Sequence, residues 1–256
     1  MASAIIKGVV SSGFLKGNEI AVFDKDSEKT KALSNEFGVV VCSGGFEIAE
    51  KCERIVFAIK PNVLPSVIDE IKDVLKEKSP LIISIAAGKT LDFIKSCLSY
   101  DDARIIRIMP NINAVALEAI CACCSNENAT DSDKAFVSGL CCSFGKVVCI
   151  DESLFSIYSA IGGCGPAFSY MFIDSLARAG VENGLTKDVA LKVAAQTVLG
   201  SAKMILESSE HPWQLIDKVC SPGGTTIEGV LTLQQEGFEA ATAKAVKASF
   251  EKDKKI

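Results

Sequence analysis

Seven short β-rich runs stand between helical stretches in the first 150 residues of this chain, and none follows Asp151. That change of character limits what the chain can fold into. The runs are EIAVFD (19–24), VVVC (39–42), RIVFAI (54–59), LIISIA (81–86), RIIRIM (104–109), EAICACC (118–124) and KVVCI (146–150). They are apolar throughout rather than alternating, as strands covered on both faces should be. Helical segments at 27–38, 63–76, 90–99 and 131–143 separate them, with a brief one after residue 42. Such a rhythm predicts βαβ units and a parallel sheet. Residues 1–12 read as a helix with Ala4, Ile5, Gly8 and Val9 on one side.

Beyond residue 150 the segments 152–183, 187–207 and 227–250 read as helices rich in Ala, Val and Leu. A helix that is apolar nearly all round is buried on all sides. A bundle of this size is expected to complete its core by pairing with another copy. The domain boundary is therefore set near residue 150, giving domains 1–150 and 151–256.

Charge and cysteine content narrow the partners. Twenty-seven basic against thirty-two acidic side chains give a net charge of −5, with no long block of either sign. That pattern argues against a nucleic-acid or anionic-membrane partner. No apolar run reaches the roughly 18–20 residues that span a bilayer. The opening MASAIIKGVVSS lacks the basic start and long apolar centre of a secretion signal. A cytoplasmic location is expected. The eleven cysteines are odd in number and several are adjacent, as at Cys121, Cys123 and Cys124, and His211 is the only histidine. Neither a zinc site nor a disulfide framework follows from that spacing. Small buried apolar residues in a reducing compartment are expected instead, and no metal.

The segment with most chemical content is PWQLIDKVCSPGGTTIEGVLTLQ, from Pro212 to Gln234. Ser221-Pro222-Gly223-Gly224 forces a tight turn, because proline fixes φ and glycine permits positive φ. Thr225-Thr226-Ile227-Glu228 then enters a helix whose first N–H groups are unpaired and whose dipole adds partial positive charge. The local physics allows either a carboxylate or phosphate site or simply a capped helix after a sharp loop. His211 precedes Pro212, a natural first helical residue, and is read as the start of a helix rather than a catalyst.

This segment resembles, position for position, the signature of the pyrroline-5-carboxylate reductase family. AIKP (58–61), SIAAG (84–88), RIMPN (107–111), GCGPAF (163–168) and VENGLTKDVALKVAAQTVLGSAKMI (181–205) resemble other family motifs in the family's order, so the likeness runs over essentially the whole chain. It implies an α/β fold, a Rossmann-like doubly wound sheet followed by an all-α dimerisation domain. It implies reduction of 1-pyrroline-5-carboxylate to L-proline by NADPH or NADH, in a homodimer or larger assembly. By the same likeness the substrate carboxylate sits on Ser221 and the N–H groups of Gly224, Thr225 and Thr226. The Thr226 hydroxyl reaches the ring nitrogen. No dedicated acid is needed if the imine arrives protonated.

For the cofactor, the likeness implicates Ala58, Lys60 and Pro61, together with Ala86, Ala87 and Asn111, at the carboxyl ends of predicted strands, where open α/β sheets bind ligands. Asp24 closes a strand and would favour NADH through a ribose hydroxyl, whereas Lys25 and Ser27 could hold the 2′-phosphate of NADPH. Three departures stand out: Ile112-Asn113 replaces the usual Thr-Pro, Cys164 a serine, and Phe168 a tyrosine.

A fold of this type begins with a strand and a G-x-G-x-x-G/A turn. Met1-Ala2-Ser3-Ala4-Ile5-Ile6 aligns with the end of that stretch. No strand is therefore expected before Glu19, and a gap or collapse is expected between the strands at 19–24 and 54–59. A shortened reductase is the reading preferred here, because every downstream motif is intact. The alternatives are a non-catalytic dimeric binding protein and another imine or β-hydroxyacid dehydrogenase. The last would carry a lysine on the first long helix of the second domain, and residues 164–184 contain none.

Overall fold

A computed structural model describes residues 1–255. The chain opens with helix α1 (Ala2–Ser11), which buries Ala4, Ile5, Gly8 and Val9, the face that the helical period marks out. β1 (Ala21–Val22), α2 (Ser27–Phe37) and β2 (Val40–Val41) follow. Asp26 caps α2 by accepting from the Glu28 N–H, and Gly38 ends it in the left-handed region at φ 70°. β1 and β2 pair in parallel and form a sheet of their own.

The main sheet is built from five strands: β3 (Arg54–Phe57), β4 (Leu81–Ser84), β5 (Ile105–Pro110), β6 (Ala119–Ser125) and β7 (Gly145–Cys149), in that spatial order. Four helices accompany it: α3 (Gly45–Lys51), α4 (Leu64–Lys78), α5 (Leu91–Leu98) and α6 (Asp131–Cys142). Leu81, Ile83, Ile106, Ile108 and Cys121 face one core, shared with α1 and α6. Ile55, Phe57, Ile82 and Ile105 face the other, shared with α3, α4 and α5. Two covered faces explain why the strand sequences are continuously apolar.

As expected, no strand precedes Glu19 among the described residues, and β1 is not bonded to β3. The strand expected at 19–24 shrinks to two residues behind a 3-10 turn at Gly17–Glu19, since β2 alone bonds to it. The expectation of a parallel sheet needs correction at one place. β6 runs antiparallel to β5, with Ile108 opposite Cys123. Only residues 111–118 join the two strands, fewer than a parallel crossover requires.

After β7, a 3-10 turn (Glu152–Leu154), α7 (Phe155–Tyr158) and a π-helical turn (Ser159–Gly163) stay on the sheet. The chain divides into two compact units, Met1–Gly163 with the residues from Lys252 on, and Cys164–Glu251. Hydrogen bonds from Arg107 to Glu152, from Tyr158 Oη to Met109 O and from Asn111 to Gly162 O hold residues 152–163 within the first unit.

The second unit comprises α8 (Gly165–Glu182), α9 (Lys187–Glu207), α10 (Pro212–Val219), α11 (Thr225–Gln235) and most of α12 (Phe238–Asp253). The helix expected over 227–250 breaks at Gly237, whose φ is 77°. The unit's own core is small: Ala177, Ala190 and Ala194, with Ile173 against them. Large apolar side chains stand exposed around it, Met171 at 74%, Val219 at 66% and Leu206 at 85%.

Candidate active site

The turn between α10 and α11 is set from both sides. His211 caps α10: its Nδ1 accepts from Trp213 N–H at 3.3 Å, and its own N–H donates to Gln214 Oε1 at 2.9 Å. Past the end of α10, Gly224 N–H donates to Ser221 O at 3.0 Å. Pro222 and Gly223 occupy the central positions, and Gly223 has φ 66°. Proline first and a positive-φ glycine second is the requirement of a type II turn.

Gly224 is the N-cap of α11, and no side chain caps that helix. A Cβ on Gly224 would run into Ser221 Oγ, so glycine lets the serine hydroxyl lie over the helix entrance. One expectation changes. The Gly224 N–H is spent within the turn, which leaves the N–H groups of Thr225 and Thr226, in the first turn of α11, as the donors without an intrahelical partner. Together with the hydroxyls of Ser221, Thr225 and Thr226, they form a donor-rich cap at a positive helix end. Thr226 is half-buried, whereas Ser221 and Thr225 are exposed. Such a cap can hold and orient a small carboxylate.

In the first unit, the residues assigned to the cofactor lie at the carboxyl ends of β1, β3, β4 and β5. Beyond β3, Ala58 N–H turns back to Val56 O at 3.1 Å, and Lys60 O accepts from Val63 N–H at 3.0 Å. The Lys60 side chain is exposed and Pro61 half-buried. Beyond β4, Ala86 is buried and its N–H donates to Ser84 Oγ at 3.2 Å. Ala87 and Gly88 are exposed, and Gly88 turns the chain at φ 69°. Beyond β1, Asp24 Oδ1 accepts from Asp26 N–H at 2.9 Å, which leaves its second oxygen available. Lys25 and Ser27 are exposed beside it in sequence. Small residues, open turns and an exposed lysine fit a dinucleotide laid along this edge.

Asn111 does not fit a direct contact. It is 6% exposed. Its Nδ2 donates to Gly162 O at 2.8 Å, and its Oδ1 accepts from Asn113 N–H at 3.2 Å. Both ends of the amide are engaged, so Asn111 fastens the end of β5 to the turn at 159–163.

Two further residues escaped the sequence reading. Tyr158 Oη donates between Met109 O at 3.0 Å and Ile120 O at 2.8 Å, and burial raises its pKa. Arg107 pairs with Glu152 at 2.9 Å and lies 4.3 Å from the Phe155 ring centre. An arginine inside the apolar run RIIRIM was the available signal, because a buried cation needs an acid.

Comparison with known proteins gives this geometry a family. The family model described as pyrroline-5-carboxylate reductase dimerisation matches residues 152–256. The one described as NADP oxidoreductase coenzyme F420-dependent matches residues 1–88. The Escherichia coli (strain K12) pyrroline-5-carboxylate reductase is 39% identical over 256 residues, covering 100% of this chain and 94% of that protein. The chain belongs to the pyrroline-5-carboxylate reductase family. The Arabidopsis thaliana reductase is 36% identical over the same length, with 92% of it covered. The solved reductase of Coxiella burnetii superposes with TM-score 0.94 at 30% identity, over 99% of this chain and 94% of that one. The Plasmodium falciparum reductase, solved with NADP bound, gives TM-score 0.86 at 32% identity, over 98% and 92%. Within this reductase family, residues 152–256 are the part that mediates homo-oligomerisation.

Proposed function

We propose that this chain reduces the ring imine of 1-pyrroline-5-carboxylate to L-proline, using NADPH or NADH, in proline biosynthesis. The observation that carries the reading is the uncapped entrance of α11 behind the Ser221–Gly224 turn. Ser221 and the N–H groups of Thr225 and Thr226 hold the substrate carboxylate. Gly224 contributes by admitting close approach. The Thr226 hydroxyl accepts a hydrogen bond from the iminium N–H, which keeps its proton, and this fixes the ring without a separate acid. When bound, the nicotinamide supplies the hydride.

On the protein side, Ala58, Lys60, Pro61, Ala86 and Ala87 line the edge that takes the dinucleotide, and Asn111 supports that edge from behind. Asp24 bonds a ribose hydroxyl. Lys25 and Ser27 hold a 2′-phosphate and tip the preference to NADPH. Residues 1–150 serve the cofactor, and residues 151–256 the substrate and the dimer. α9 is long and apolar enough to cross a membrane by length and composition, yet little of it is buried within the chain. We assign that surface to a second copy of this chain, and place the enzyme in the cytoplasm, whose thiol pool returns its eleven thiols to the reduced state at rest.

Fluorescence titration with NADPH and NADH, followed by a proline-formation assay on the imine, tests this. Saturable cofactor binding with turnover supports it. A folded dimer that binds neither dinucleotide would instead mark a non-catalytic relative.

A further inference from the structure

Four of the eleven free cysteines, none of them used by the reductase chemistry, are gathered on β6, β7 and α6. Cys123 of β6 is the register partner of Cys149 in β7, and Cys121 is the partner of Val147. Directly paired residues of parallel strands project to the same face with backbones about 4.8 Å apart. That spacing lies inside the roughly 4.4–6.8 Å Cα range that a disulfide spans. α6 lies over this face, and Cys141 Sγ stands 3.4 Å from Cys121 Sγ. Among the described residues no three His, Cys, Asp or Glu side chains are placed to hold a metal.

The four thiols differ in access. Cys121 and Cys141 are both 0% exposed and Cys123 is 7% exposed. Cys149, the last residue of β7, is exposed. Burial first, then the neighbouring thiols Cys141 and Cys149, push the Cys123 thiol up to about 12. Cys123 is therefore protonated and shielded at neutral pH. An oxidant from solution meets Cys149 first.

We propose that Cys149 and Cys123 form a peroxide-responsive dithiol, with Cys149 the site of attack and Cys123 the resolving partner. The Cys149 thiolate attacks one oxygen of a hydroperoxide. An S–O bond forms, the O–O bond breaks, and water or an alcohol leaves as the sulfur loses two electrons. Cys123 Sγ then attacks Cys149 Sγ. The S–S bond forms, the S–O bond breaks, and hydroxide departs as water with the Cys123 proton. Two thiols and one peroxide give one disulfide, and an external thiol reverses it. Cys121 and Cys141, with sulfurs 3.4 Å apart, stay reduced because nothing from solvent reaches them.

The test uses the full chain, reduced and desalted, treated with stoichiometric hydrogen peroxide, alkylated under denaturant and mapped by peptide mass spectrometry. A Cys123–Cys149 cross-linked peptide is expected, and dithiothreitol removes it. In C149S the cross-link disappears and Cys123 remains fully alkylatable. In C123A the reaction stops at a Cys149 sulfenic acid that dimedone traps. Should C123A not fold, the surface variant C149S decides alone. The proposal is overturned if the oxidised wild type carries a Cys121–Cys141 link instead. It is equally overturned if Cys149 proceeds to the sulfinic acid while Cys123 keeps its free thiol.

Discussion

Arg107 and Glu152 form an ion pair 2.9 Å long, with the arginine side chain only 6% exposed and the glutamate 26%. The same Glu152 oxygen accepts the Leu91 N–H at 2.8 Å, so one carboxylate ties β5, the start of α5 and the segment after β7 together. Removing it leaves a cation buried over the Phe155 ring. We expect Glu152→Ala to lower stability by about 3 kcal/mol, read as a shift in the urea midpoint with unchanged slope.

Gly8 sets two effects against each other. Alanine would favour the α1 helix by about 1 kcal/mol. A Cβ there, however, would stand 2.6 Å from Phe144 Cβ and 2.9 Å from Ser143 O. Overpacking of that kind costs about 1–3 kcal/mol. Gly8→Ala should therefore destabilise the chain, and a rise in its melting temperature would contradict the packing described for α1.

Asp133 predicts an acid-sensitive component of stability. Burial opposes its ionisation, yet hydrogen bonds from Thr130 and then the charge and hydrogen bonds of Arg104 outweigh it, holding the carboxyl below its ordinary 3.8. The folded pKa is the lower one. The stabilisation is thus complete above the unfolded value and is lost as pH falls below it. Urea midpoints measured from neutral pH down to about pH 2 should fall less steeply for Asp133→Asn than for the wild type.

The α10–α11 turn separates binding from chemistry. Gly223→Ala places a side chain at φ 66°, a strain of about 1–2 kcal/mol, and should raise KM for the imine. Thr226→Ala should lower kcat/KM roughly tenfold to a hundredfold, about 1.4–2.7 kcal/mol, and Thr226→Ser should recover most of it. Steady-state kinetics on the three variants checks both expectations. Wild-type kinetics in Thr226→Ala would remove the hydroxyl from the reaction.

What the sequence disclosed depended on whether the controlling force is local. The buried face of α1 was legible because Ala4, Ile5, Gly8 and Val9 keep the helical period. The turn at Ser221–Gly224 was legible because proline and glycine dictate φ. Strand direction is not local, and the antiparallel β6 was visible only in the shortness of residues 111–118. The engagement of Asn111 with Gly162 was hidden for the same reason, since its partner lies far along the chain. Gly237 broke the last predicted helix, although a lone glycine inside a helical pattern is often tolerated.

The alanine-lined contact of α8 with α9 has a thermodynamic consequence. Three alanines and one isoleucine enclose too little apolar surface for the second unit to outweigh its chain entropy unaided. Its folding should then be a bimolecular event. Diluting the protein ought to lower its melting temperature as mass action requires, and a melting curve indifferent to concentration would show that these helices stand without a mate.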